Sequence, residues 1–287
     1  MKNLTAIYWI KNEAQYLPEY LEFHLMQGFD HFIFYDDGST DNLLEVVEPY
    51  GDLVEIRQYP ENLTVPKNFW LANHCCYEQR GKSKWIHFHS VDERIFCPDG
   101  KQIPDFLKNY EAYGGVSVAW EEFNSSGHTS KPTGLIIENY TEVARDNQCH
   151  IKTIVQPTFA VRFNSNPHNF IFEKSWAVNE NNVRVDGPYC PQDYSFSKIK
   201  NHHYRTLSRE EFEIKMNKGV LDHGPSQAGV RREQAEDEWS YTHGGPSRWG
   251  VTTLHKNTDL LKFVEPVKAA ILARYKDKPE LLETIVH

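Results

Sequence analysis

The feature that most constrains this chain is the alternation of apolar runs and helix-spaced segments over its first ninety residues. Residues 4–10 form a short β-rich run, and Leu17, Leu21, Leu25 and Gly28 then fall close to one helical face. A second strand is expected at 31–35, ended by the turn sequence Asp36-Asp37-Gly38-Ser39. A helix at 42–48, a strand at 53–58, a helix at 66–80 and a strand at 84–88 complete a β-α-β-α-β-α-β order. That order predicts an α/β protein with a mostly parallel central sheet flanked by helices on both faces. Ligands in such sheets bind beyond the carboxyl ends of the strands. One rim would therefore gather Lys11-Asn12-Glu13, Asp36-Asp37 and Ser90-Val91-Asp92.

Past Gly115 the pattern changes. A strand is expected at 115–120, a loop at 124–127, and longer strands at 153–163 and 169–178. Helical segments are expected at 208–218, 231–239 and 260–275, with Ser208 and Glu211 forming a capping box at the first. No internal repeat or low-complexity linker interrupts the 287 residues, so a single domain is expected. Its parts would be a first half at 1–110, a second at 111–220 and a helical C-terminal extension at 221–287.

Charge and cysteine usage exclude several classes. The net charge of −9, without an extended Lys/Arg cluster, gives a nucleic-acid groove little support. Five cysteines, with no CxxC pair, argue against a disulfide framework or a zinc knuckle. The chain starts almost directly on a strand, with no leader pattern and no apolar run long enough to span a membrane, so a cytoplasmic setting is expected. Neither GxGxxG nor GxxxxGK[ST] follows a strand, which disfavours dinucleotide oxidoreductases and P-loop NTPases.

The rim holds carboxylates and amides instead. A nucleotide sugar needs acceptors for its base edge and ribose hydroxyls, which Glu13, Asp36 and Asp37 would supply, with Asn12 as donor and acceptor and Lys11 beside it. Taken alone, Asp36-Asp37-Gly38-Ser39 also reads as an ordinary turn before a helix. Lys67, at the start of its helix, is placed to reach a diphosphate. The strand ending Ser90-Val91-Asp92-Glu93 suits Mg²⁺ or Mn²⁺, hard cations that take oxygen ligands and bridge phosphates.

These residues belong to a longer ordered set. It comprises Ile10-Lys11-Asn12-Glu13, Tyr20-Leu21-Glu22-Phe23-His24, Gly28-Phe29-Asp30-His31 and residues 36–42, then residues 85–93, 120–127 and 152–157. His168, Asn201-His202-His203-Tyr204 and Ser208-Arg209-Glu210-Glu211-Phe212 follow. Over residues 5–220 the set resembles glycosyltransferase family 92 and its family-2-like relatives. The resemblance implies a GT-A fold (the nucleotide-diphospho-sugar transferase fold), a nucleoside-diphosphate-sugar donor, a divalent metal, inversion at the anomeric carbon, and a glycan or glycoconjugate acceptor.

It also implies roles. Asp92 matches the metal-binding Asp of an Asp-x-Asp-Glu pattern in which Ser90 replaces the first Asp, and His203 matches a late histidine that completes the metal site. Inversion needs a base for the acceptor hydroxyl, and Glu122, Asp186 and Asp193 are the candidates. Two rivals remain: a nucleotidyltransferase, which would open with a glycine-rich loop this chain lacks, and a carbohydrate-binding protein that kept the fold and lost catalysis, which Ser90 favours.

Overall fold

Apolar residues on both sides of four short strands decide the architecture. In the computed structural model, residues 1–145, 150–164, 166–189, 194–217, 235–237, 239–245 and 253–286 are described. Strands β1 (Lys2–Ile10), β2 (His31–Asp36), β3 (Val54–Gln58) and β4 (Ser83–Phe88) pair in parallel in the order β4-β1-β2-β3. In register, Ile7 faces Ile33 on one side and Phe88 on the other. Helices α1 (Leu17–Met26), α2 (Leu43–Val47) and α3 (Lys67–Glu78) fill the connections, within two residues of the expected bounds.

Because successive side chains point to opposite faces, one face carries Ile7, Ile33, Tyr35, Ile86 and Phe88, which pack on Leu71, Ala72, Cys75 and Cys76 of α3. Each aliphatic side chain buried there contributes about 1.5–3 kcal/mol. Burial also raises the Cys75 thiol to about 12, so it stays protonated. The other face carries Phe32, Phe34 and His87, which lie with Phe29 against Tyr20 and His24 of α1. Gly28 turns α1 into β2 at a φ of 92°, where an added Cβ would lie 2.7 Å from Pro104.

Beyond β4 the chain adds β5 (Glu93–Phe96), α4 (Ile103–Leu107), β6 (Gly115–Phe123), α5 (Ile136–Asn139), β7 (Glu142–Arg145) and β8 (Ile151–Val155). Strand β8 runs antiparallel between β4 and β6, so the sheet is mixed although its nucleus is parallel. The expected strand at 153–163 is broken: Gln156 donates to the carbonyls of Glu111 and Tyr113, and a turn through Pro157 follows. The chain re-emerges as the hairpin β9 (Ala160–Asn164) and β10 (Asn166–Phe172). The expected strand at 169–178 is likewise divided into the end of β10 and the short β11 (Ala177–Val178), which pairs with β6 and with β12 (Arg184–Val185).

Two compact units result: residues 1–120 with 148–201, and residues 121–147 with 202–287. The first holds the sheet just described. The second begins at the tip of β6, where Glu122 and Phe123 pair with β7, and β7 pairs with β14 (Thr253–Lys256). It takes up the end of β13 (Lys200–His203), then α6 (Arg209–Asn217), α7 (Val264–Arg274) and α8 (Pro279–Val286). The capping box at α6 forms as expected: the Ser208 backbone N–H and hydroxyl both donate to Glu211 Oε2, and the Glu211 N–H donates back to Ser208. Of the helix expected at 231–239, residues 235–237 and 239 are helical and the others lie outside the described residues. No helix among the described residues is long and apolar enough to cross a membrane.

Candidate functional site

Parallel register brings the carboxyl ends of β4, β1 and β2 side by side on one edge of the first unit. The loop after β1 is fastened to the loop after β2. Asn12 takes a φ of 50°, which asparagine tolerates better than most residues. Its Oδ1 accepts from the Thr40 N–H at 2.7 Å, and its own N–H donates to Ser39 Oγ at 3.0 Å. Asp36 accepts from the Ser39 N–H at 2.9 Å and from Gln58 at 3.3 Å. These two residues therefore shape the turn. Glu13 caps the short helical turn Ala14–Tyr16 through its carbonyl.

Asp37 behaves differently. Its carboxylate, 13% exposed, pairs with Lys67 from the first turn of α3 and lies 3.7 Å from Lys11. The Lys67 ammonium also sits 5.0 Å from the Tyr59 ring centroid. Lys11 and Asp37 of the expected rim thus form one charged cluster with Lys67, the residue expected to reach a diphosphate.

The turn after β4 is held by buried charge. Glu93 is fully buried, and its Oε1 accepts from the Ser90 hydroxyl at 2.7 Å and the Ser90 N–H at 3.0 Å. Its Oε2 accepts from Trp120 Nε1 at 2.9 Å and Asn201 Nδ2 at 2.6 Å. Lys152, 3% exposed, completes the group 3.2 Å from Oε1, its ammonium near the Tyr8 and Trp120 rings. From below, the fully buried Arg94 donates to the carbonyls of Val91 at 2.7 Å and Glu93 at 2.9 Å, and pairs with Glu19 of α1 at 2.9 Å. Asp92, partly buried, stands in the turn that these groups fix.

Beneath this turn lies an imidazole cluster. Tyr20 Oη and His89 Nε2 are 2.9 Å apart, His89 Nε2 and His24 Nε2 are 3.2 Å apart, and His87 stacks on His89. Burial holds all three imidazoles well below the usual histidine range, His89 at about 3, so they are neutral. Among the described residues neither ring nitrogen of His87 finds a hydrogen-bond partner.

In the second unit Glu122, on the tip of β6, lies 3.2 Å from His203 Nδ1, and both side chains are largely buried. Asp186 is 68% exposed and pairs with Arg184 at 2.7 Å in the first unit. Asp193 lies outside the described residues. Glu93, expected with Asp92 as the acidic end of a metal-binding strand, is instead buried against Lys152, Trp120 and Asn201; Lys152 and Asn201 belonged to the resembling set without a role of their own. Only the unbroken apolar strand around Lys152 hinted that its charge would need a buried partner.

Residues 4–233 match the model of glycosyltransferase family 92. A family 92 protein of Oryza sativa subsp. japonica is 27% identical over 157 residues, covering 52% of this chain and 26% of that protein. The galactan beta-1,4-galactosyltransferase GALS2 of Arabidopsis thaliana is 26% identical over 113 residues, covering 36% of this chain and 22% of that protein. The chain thus spans about a quarter of the length of these curated relatives. Among solved structures, S. aureus TarS 1-349 in complex with UDP-GlcNAc is 15% identical at a TM-score of 0.38, covering 99% of this chain and 81% of that one.

Proposed function

Because the chain belongs to glycosyltransferase family 92, we propose that it is an inverting, metal-assisted glycosyltransferase, moving a hexosyl or pentosyl unit from a nucleoside-diphosphate sugar to a hydroxyl of a glycan or other acceptor. Residues 1–110 would serve the donor and residues 111–220 the acceptor, with 221–287 as an extension. The name of GALS2 favours a hexose such as galactose.

The observation that carries this reading is the clamped turn at β4. A buried anion and a buried cation, Glu93 and Arg94, both act on the backbone that carries Asp92. Holding buried charges is costly unless every partner is in place, and here the return is a carboxylate of fixed position. Such a carboxylate suits Mg²⁺ or Mn²⁺, which are commonly held by one or two protein carboxylates together with substrate phosphates. When bound, the cation would neutralise charge on the departing diphosphate.

The other roles fall to the chain's own residues. Asp37, with Lys11, Asn12, Glu13 and Asp36 around it, would receive the base and ribose. Lys67 would exchange its contact with Asp37 for the diphosphate. Ser90 contributes no charge; its hydroxyl is directed to Glu93 and keeps the turn closed. His203 meets Glu122 through Nδ1, the pattern by which a carboxylate orients a metal-binding imidazole and leaves Nε2 as the donor. Glu122 then positions His203, and the proton-accepting role passes to Asp186 or Asp193.

The test is a transfer and donor-hydrolysis assay over UDP- and GDP-sugars with and without Mn²⁺. Asp92→Ala should lose at least about a hundredfold in rate, as lost transition-state charge stabilisation does. Full transferase activity in that variant would overturn the assignment. A second reading, a nucleotide-sugar-binding protein without catalysis, rests on Ser90 standing where the family pattern has Asp. Calorimetric binding of donor with no turnover on any glycan acceptor would favour it.

A further inference from the structure

The second unit carries a cluster that the donor site does not use. Glu121 lies on β6, His202 on β13, and Asp259 in the turn after β14. One imidazole nitrogen and one carboxylate oxygen from each acidic residue all lie within 4.8 Å of one another. His202 is 1% exposed and Glu121 9%, while Asp259 is partly buried. His202 Nε2 and Glu121 Oε2 are separated by 3.1 Å.

We propose that Glu121, His202 and Asp259 form a binding site for one divalent transition-metal ion, with Zn²⁺ as the best fit and water in the fourth position. Zinc takes histidine nitrogen and carboxylate oxygen at about 2.0–2.2 Å in a tetrahedral shell. Tetrahedral ligands at that radius stand about 3.4 Å apart by geometry. One pair at 3.1 Å and a limit of 4.8 Å for all three need only small side-chain rotations to reach it. The mixed nitrogen and oxygen set favours a borderline ion over Mg²⁺ or Ca²⁺, which prefer oxygen alone.

The surroundings fit as well. Asn257 Nδ2 lies 3.3 Å from Glu121 Oε1, while its Oδ1 accepts from the Asp259 N–H at 2.9 Å. One side chain therefore positions two of the three ligands, as groups just outside a metal shell do. The rings of Phe123 and Tyr204 flank His202, with centroids 4.5 and 6.4 Å away, and exclude water from that side. The three ligands come from segments more than fifty residues apart in sequence, so the ion would tie β6, β13 and the β14 turn together without entering the reaction. A protonated His202 between two carboxylates is the competing account.

The experiment uses the full chain, stripped with a chelator and titrated with Zn²⁺ by calorimetry, with elemental analysis of the dialysed protein. Wild type should hold one equivalent, and Zn²⁺ at a hundred times its Kd should raise Tm by roughly 5–10 °C. Asp92→Ala should keep that equivalent, which separates this site from the proposed donor metal. Glu121→Gln and Asp259→Asn should each weaken binding at least tenfold. Asp259 is the variant to trust if Glu121→Gln misfolds. A Co²⁺-loaded sample should show the visible absorption of a four-coordinate ion. No retained zinc in wild type, or undiminished binding in both variants, would overturn the proposal in favour of the protonated histidine.

Discussion

The turn after β2 and the turn after β4 both present carboxylates at the same edge of the sheet, and they are built in opposite ways. After β2, Asp36 is satisfied by the Ser39 N–H three residues on, and Asp37 meets lysines at the surface, Lys67 being 40% exposed. After β4, Glu93 is fully buried and meets Trp120, Lys152 and Asn201, all distant in sequence. The first turn is closed on itself by Asp36, and its longer contacts, to Asn12 and Lys67, lie at the surface. The second exists only when the whole first unit has folded, so it can fix an atom more tightly. The difference teaches where positional precision at this edge comes from: from buried charge drawn across the sheet, more than from the turn sequence.

The sharpest way to break that comparison is Glu93→Ala. It leaves Lys152 charged and buried and strips acceptors from Trp120, Asn201 and Ser90, so a loss of about 3–5 kcal/mol is expected. Urea denaturation would measure it. A loss below about 1 kcal/mol would show that the β4 turn is as local as its neighbour.

Acid should separate the two turns next. His24, His87 and His89 are kept neutral by burial, with their affinity for protons below the ordinary value near 6.5. Below that pH the unfolded chain takes up protons that the folded chain refuses. Their contribution to stability is therefore complete above about pH 6.5 and falls as the pH drops towards 3, at up to about 1.4 kcal/mol per pH unit for each histidine. Between pH 7.5 and 5.5 a combined loss on the order of 3–4 kcal/mol is expected from denaturant midpoints. His87→Leu should shallow the slope and, by removing an imidazole whose nitrogens are unsatisfied among the described residues, raise stability at neutral pH. A pH-independent midpoint would remove the imidazoles from the account.

Asp36→Ala tests the local turn. Only contacts to Ser39 and Gln58 are lost, and about 1 kcal/mol is expected, the usual cost of one satisfied backbone donor. Chemical denaturation resolves a change of that size, and a loss above about 3 kcal/mol would place Asp36 with Glu93.

How far this was legible in the sequence follows the same division. The parallel nucleus was, because alternating burial and helical spacing are written in consecutive residues. The capping box at Ser208 and Glu211 was legible for the same reason. Asp36-Asp37-Gly38-Ser39 read correctly as turn chemistry, since Asp36 is satisfied by the Ser39 N–H within the motif. Glu93 was read only as part of an acidic strand end, because nothing in Ser90-Val91-Asp92-Glu93 reveals Lys152 or Asn201. The break at Gln156 also depended on distant carbonyls, those of Glu111 and Tyr113, and Pro157 was its one local sign.

The smallest expected effect on stability is also the most informative about function. Lys67→Met removes an ammonium whose partner, Asp37, keeps Lys11 at 3.7 Å. Exposed pairs contribute between zero and about 1 kcal/mol, so the Tm should move by no more than about 2 °C. Donor binding should change far more if Lys67 meets the diphosphate, because the anion then loses one of the two ammonium groups of this cluster. A roughly tenfold weaker Kd for UDP, about 1.4 kcal/mol, is expected by calorimetry. The deficit should shrink as salt is raised, since screening weakens the contact in wild type more than in the variant. An unchanged Kd with an unchanged Tm would leave Lys67 as a solvated residue of the local turn, and donor recognition at this edge would then rest on Asp37 and the clamped Asp92 alone.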